Sequence, residues 1–130
     1  EMVFVVAFAG SVATALADTL SSEIGGLYDE PRLITDLTPV EPGTDGAITW
    51  QGEVAGALGA GIIATLALFL LPVDLTGAFI VVVSGMVGLT ADSFAGATIE
   101  GDVLGNQSVN FIATSIGALA GGVLAGLLLV

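Results

Sequence analysis

Two carboxylates stand where so apolar a chain has least use for them. Asp18 and Asp92 interrupt long apolar runs, Met2–Ala17 and Leu75–Ala91, near their C-terminal ends. An acid carried to membrane depth costs at least ~2.5 kcal/mol on insertion scales, so its presence marks a functional site by default. Two buried carboxylates without a neighbouring base repel each other unless a cation lies between them. The chain has no His, no Cys and no Lys. Transition-metal chemistry is therefore disfavoured, and hard oxygen ligation of Mg²⁺ is the natural expectation.

Helical spacing sorts the other polar residues around these two. Ser11, Thr14, Asp18, Ser22 and Gly25 form one continuous stripe. Glu23 lies five positions beyond Asp18 and so points about 140° away on a regular helix. Gly85, Gly88, Asp92, Gly96 and Glu100 share a face on a second helix, and Asn106, Asn110, Thr114, Gly117 and Gly121 share one on a third. Gly52, Gly56 and Ala60 offer a small-residue packing edge. Small residues, Ser, Thr and Asn pack membrane helices routinely, which accounts for the glycines. Packing does not need a carboxylate.

The elements that must position these residues are four apolar stretches, Met2–Ala17, Val54–Leu71, Leu75–Ala91 and Val109–Val130. Each approaches or exceeds the ~20 residues that cross ~30 Å of hydrocarbon. The fold class is all-α, a polytopic transmembrane bundle of four helices. Helix one is predicted over about Met2–Gly25, closed by Gly25-Gly26. Helix two is predicted from about Glu53 to Leu71, stopped by Pro72. A turn at 72–74 leads into helix three, about Leu75–Ile99, and Glu100–Asn106 turns the chain into helix four.

Parity then puts the 27–52 connection and the 100–106 turn on one membrane face, with 72–74 opposite. Arg32, the sole base, belongs to the first face, which the positive-inside rule makes cytoplasmic; the plasma membrane is the expected location. The connection is longer and richer in proline than a plain helix–helix link, where 2–8 residues are usual. It is expected to fold back as a partial lid, with Asp29, Glu30, Asp36 and Glu41 in solvent and Arg32 turned inward to Asp18 and Asp92. Helices two and four begin at the same face, where their dipoles and free N–H groups favour phosphate. Gly43-Thr44-Asp45-Gly46 could add a small anion nest.

Composition bounds the rest. Mean hydropathy of +1.02 and 55% hydrophobic residues exclude an ordinary soluble domain and a disordered one. Thirteen acids against one base leave no basic surface for nucleic acid. The loop acids fit a halophilic surface. Residues 1–130 form a single transmembrane domain. Its start at Glu1 and its apolar finish suggest a fragment of a longer polytopic protein, and the start lacks the basic region of a secretory signal.

Several strings carry a resemblance. They are Ser11–Gly25 with Asp18 and Glu23, Pro31-Arg32-Leu33-Ile34-Thr35, Pro42–Gly46, Asp92–Thr98, and Val109-Asn110-Phe111 with Thr114. In this order they resemble an integral-membrane family of unknown general function that includes a plant phytyl-phosphate kinase, and this chain is similar to its C-terminal half. The resemblance implies a kinase using a nucleoside triphosphate, CTP in particular, to convert a polyprenyl monophosphate to its diphosphate. Asp18, Asp92 and Arg32 are the implied catalytic residues, with Glu23 joining the two aspartates on Mg²⁺. Thr44, Asp45, Gly46 and Asn110 are the implied phosphate-binding positions. The implied partners are the bilayer, the isoprenoid phosphate and an N-terminal half or partner chain.

Two other readings stay open. One is half of a cation-coupled transporter, suggested by the match of Ala17-Asp18-Thr19-Leu20 to Ala91-Asp92-Ser93-Phe94. The other is a structural membrane subunit.

Overall fold

The computed structural model describes all 130 residues. In chain order they form α1 (Met2–Gly25), β1 (Arg32–Leu33), β2 (Ala47–Ile48), α2 (Trp50–Leu70), α3 (Leu75–Thr98) and α4 (Asn106–Leu128). All four helices are long and apolar enough to cross a membrane, and together they make an all-α bundle.

Local chemistry sets the ends. Thr49 caps α2 by accepting a hydrogen bond from the Gly52 amide at 3.1 Å, so α2 begins at Trp50, three residues before the expected Glu53. Pro72 stops it. Asp74, on the far face, caps α3 by accepting from the Gly77 amide at 2.8 Å. Gly101, at φ +83°, turns the chain between α3 and α4.

The helices run up, down, up, down. α1 is central and touches the other three, while α2 and α4 lie on opposite flanks of the α1–α3 pair. Close approach depends on missing side chains. A Cβ on Gly88 of α3 or on Gly117 of α4 would strike the Thr14 side chain of α1, so one buried threonine sits between two glycines. On the other flank, a Cβ on Gly56 of α2 would lie 2.6 Å from Leu89 and 3.3 Å from the Ala17 carbonyl. The stripe Ala113, Gly117, Gly121, Ala125 is the buried face of α4. This is the small-residue packing that lets membrane helices gain dispersion contacts where no hydrophobic drive exists.

Large apolar side chains such as Phe4, Phe8, Phe69, Phe79 and Phe111 are exposed on the outside of the bundle, as lipid-facing residues should be. Eight of the hydroxyls in the helices are turned back on their own backbone. Thr14, Thr19, Thr65, Ser84, Thr90, Thr98, Thr114 and Ser115 each donate to the carbonyl four residues earlier, at 2.7–3.0 Å.

The 27–52 connection contains a minimal antiparallel sheet pairing Arg32 with Ile48 and Leu33 with Ala47, which the sequence reading did not anticipate. The connection is held at two points. Gly46, at φ +77°, lies so close to Ala97 that no Cβ fits, and a Cβ on Gly96 would sit 2.9 Å from the Gly46 amide nitrogen. Gly25 and Gly52 make a similar close approach where α1 meets α2.

Candidate functional site

Asp18 and Asp92 come from neighbouring turns of α1 and α3 and lie within hydrogen-bonding reach of each other, with the Glu100 charge close by. Both are half-buried. By helical rise Asp18 and Asp92 sit roughly 10 Å from the ends of their 24-residue helices, about midway between helix end and helix centre.

A cavity of about 250 Å³ opens above the pair. Its floor holds Asp18, Asp92, Ser93 and Glu100, and its roof is the connection from Pro42 to Thr49 with Tyr28 and Pro31. Thr49 is the cap of α2 and Asn106 the first residue of α4, so two helix N-termini border the space. The amides of Asp45 and Gly46 donate to no backbone carbonyl. Free amides and helix N-termini favour an anion. The floor is acidic and favours a cation or bound protons.

A second cavity, about 120 Å³, lies on the other side of the same pair. It is a cleft between α1 and α4, lined by Thr14, Ala15, Thr19, Asn110, Ala113 and Thr114 as well as by Asp18 and Asp92. A polar chain links the two spaces. The Asn110 side-chain amide donates to Asn106 at 3.3 Å, and Asn106 donates to Glu100 at 2.9 Å. Asp92 Oδ1 and Asn110 Oδ1 are buried and accept from no protein donor.

Among the residues picked out from sequence, Asp18 and Asp92 meet. Thr44, Asp45 and Gly46 line the upper cavity, while Asn110 lines the cleft. Thr44 spends its hydroxyl on the Glu41 carbonyl at 2.7 Å. Asp29, Glu30, Asp36 and Glu41 are exposed. In the exposed loop, Thr38 donates side-chain and backbone hydrogen bonds to Asp36, holding its carboxyl below the usual range.

Two expectations need correction. Glu23 is exposed and lines neither cavity, because the 140° step turns it outward and the helix does not break before Gly25. Arg32 does not turn inward. Its side chain is exposed and donates to the Leu37 carbonyl at 2.9 Å, closing the loop that β1 starts. Glu100, Thr49 and Ser93 were not chosen as site residues yet line the upper cavity. Glu100 had a legible signal, since it shares the Asp92 stripe. Thr49 had one in its capping chemistry.

A family model covers residues 1–118 of this arrangement. The chain belongs to the family described as integral membrane protein DUF92. It is 44% identical over 118 residues to an uncharacterized membrane protein, MJ0933, of Methanocaldococcus jannaschii, a match covering 89% of this chain and 49% of that one. Protein VTE6, chloroplastic, of Arabidopsis thaliana is 29% identical, covering 92% and 37%. Protein PGR of the same plant is 38% identical, covering 70% and 36%. The chain thus spans about half or less of the length of these relatives. No solved structure matches it. Family membership and four spanning helices make this an integral membrane protein in contact with the bilayer.

Proposed function

We propose that this chain supplies part of the site of a membrane-embedded phosphotransferase that converts a polyprenyl monophosphate to its diphosphate with a nucleoside triphosphate, CTP in particular. The observation that carries the reading is that Asp18 and Asp92 form the common wall of a polar cavity and an intramembrane cleft. The family resemblance, which takes in a plant phytyl-phosphate kinase, supports the same chemistry.

In the transfer, the bond between the terminal phosphorus of the triphosphate and its bridging oxygen breaks. A new bond forms from an oxygen of the prenyl phosphate to that phosphorus, and the nucleoside diphosphate leaves. Such reactions need positioning and charge stabilisation more than covalent help from the protein. Asp18 and Asp92 fit Mg²⁺, because Asp92 Oδ1 is unpartnered and both groups are hard oxygen donors. No cluster of three or more acidic residues encloses an ion there, so phosphate oxygens and water would complete the shell. Held by Asp18 and Asp92, a bound Mg²⁺ would supply charge neutralisation for the phosphates.

The N-termini of α2 and α4 and the amide of Asp45 would hold the triphosphate, in the role first expected of Arg32. The polar face would lie in the cytoplasm, where nucleotide is found. The test is an assay of the full-length protein in vesicles with labelled CTP and a panel of prenyl monophosphates. Labelled prenyl diphosphate is the expected product. No transfer from any nucleoside triphosphate to any prenyl phosphate would refute the reading.

A further inference from the structure

The cleft between α1 and α4 has a composition that the reaction alone does not explain. Phe4, Phe8, Val12, Ala15 and Thr19 follow one another at helical spacing and are all exposed, so they make one exposed, mostly apolar stripe down α1. Bulky residues fill the stripe as far as Val12. At Ala15 and Thr19 it becomes small, and there the cleft opens.

Its walls present carbon. Thr14, Thr19 and Thr114 each return the hydroxyl to a carbonyl of their own helix, at 3.0, 2.9 and 2.9 Å, and Ala15 and Ala113 add methyl groups. The inner end differs. Asp92 Oδ1 and Asn110 Oδ1 stand there as buried acceptors without a donor. Plain hydrocarbon would leave both oxygens unsatisfied, at a cost of a few kcal/mol each. A water-soluble ligand would gain nothing from a mouth in an apolar stripe. The occupant that satisfies both ends is an amphiphile, with its head inward bringing a bound cation and its chain outward.

We propose that this cleft is the lateral entrance and chain-binding subsite by which a lipid phosphate reaches the carboxylate pair from the bilayer. The proposal rests on the phosphotransferase reading for the nature of the head. The cleft has room for roughly four water volumes. It therefore holds the head and the first carbons, and the remaining chain lies along α1 and α4 in the lipid. Ala15, Thr19 and Thr114 become the residues that touch the head-proximal chain, with the buried Thr14 and Ala113 behind them. Ala15 sets the width of the mouth.

The test is photo-crosslinking in vesicles. Full-length protein is illuminated with a prenyl monophosphate that carries a diazirine on its first isoprene unit, and adducts are mapped by peptide mass. Adducts are expected between Thr14 and Thr19 and between Asn110 and Thr114. Unlabelled prenyl phosphate should compete, and inorganic phosphate at the same concentration should not. Ala15→Trp should reduce the α4 adducts at least tenfold while leaving the affinity for a non-hydrolysable nucleotide within twofold. Thr19→Trp serves the same purpose if the first variant does not insert. Leu58→Trp, on the outer face of α2, should change nothing.

Adducts confined to α2 or to the 27–52 connection would overturn the proposal, as would equal competition by inorganic phosphate. Cleft adducts in a protein that transfers no phosphoryl group would leave the entrance standing and remove the kinase reading. Transfer with adducts elsewhere would do the reverse.

Discussion

Asp18 and Asp92 meet across two parallel helices at the same 74-position separation that brings Gly10 against Ser84 and Gly88 against Thr14. The matched strings Ala17-Asp18-Thr19-Leu20 and Ala91-Asp92-Ser93-Phe94 therefore stand level, one on each helix. Two equivalent acids face each other with small residues beneath them, and the close packing below fixes their separation. Four predictions follow from this geometry and its surroundings.

Asp92→Asn should lower turnover at least a hundredfold while the protein still inserts and folds. Asn keeps the shape and loses the charge a divalent cation needs. It also removes the cost of a carboxylate at membrane depth, ~2.5 kcal/mol or more on insertion scales. Thermal stability in detergent should hold or rise. Near-wild-type turnover in this variant would assign Asp92 to packing.

The roof of the upper cavity depends on Gly46 more than on Gly43. Both have positive φ, +77° and +88°, but only Gly46 lies against α3, while nothing lies within 4 Å of a Cβ at Gly43. Left-handed backbone costs a non-glycine residue about 1–2 kcal/mol in either place. Gly46→Ala adds a collision with Ala97. Nucleotide affinity, measured by titration, should fall about tenfold or more for Gly46→Ala and less for Gly43→Ala. Equal losses would mean that the Gly46–Ala97 contact does not hold the roof.

Arg32→Ala should leave nucleotide affinity within about twofold, because the guanidinium holds the Leu37 carbonyl and not a ligand. An exposed hydrogen bond of this kind contributes about 1 kcal/mol or less. A tenfold loss of affinity would show that Arg32 swings into the cavity when nucleotide binds.

Gly88→Ala should destabilise the bundle by ~1–3 kcal/mol, the usual cost of overpacking a tight core. The new methyl would collide with Thr14, which Gly117 confines from the other side. Combining it with Thr14→Ala should recover part of the loss, a coupling a double-mutant cycle would read as about 0.5 kcal/mol or more. Strict additivity would place the strain elsewhere.

The four spans, the tight 72–74 turn and the shared polar face were legible because length, hydropathy and Pro72 leave few alternatives. The pairing of Asp18 with Asp92 was legible because two acids in apolar runs on one face have strong reason to meet. The direction of Arg32 was not. Attraction between charges says nothing of a strand pairing such as Arg32 with Ile48, which sets where the side chain leaves the backbone. Glu23 shows the converse, since its helical angle pointed away from Asp18 while its place in a familiar string suggested a ligand. The angle was the better guide. The cleft depends on which helix neighbours α1 on the Asn110 side, and helical periodicity within each span carries no information about that.

The hydroxyls that fold back onto their own helices bear on how the protein is made. A span whose Ser and Thr are already satisfied can enter the bilayer as a finished rod, without waiting for a neighbour to arrive. Asp18 and Asp92 are different, because the two side chains meet only when α1 and α3 have come together. The carboxylate pair therefore forms only after the individual spans are in place. A nascent chain halted after α2 would lack the partner that Asp18 meets on α3.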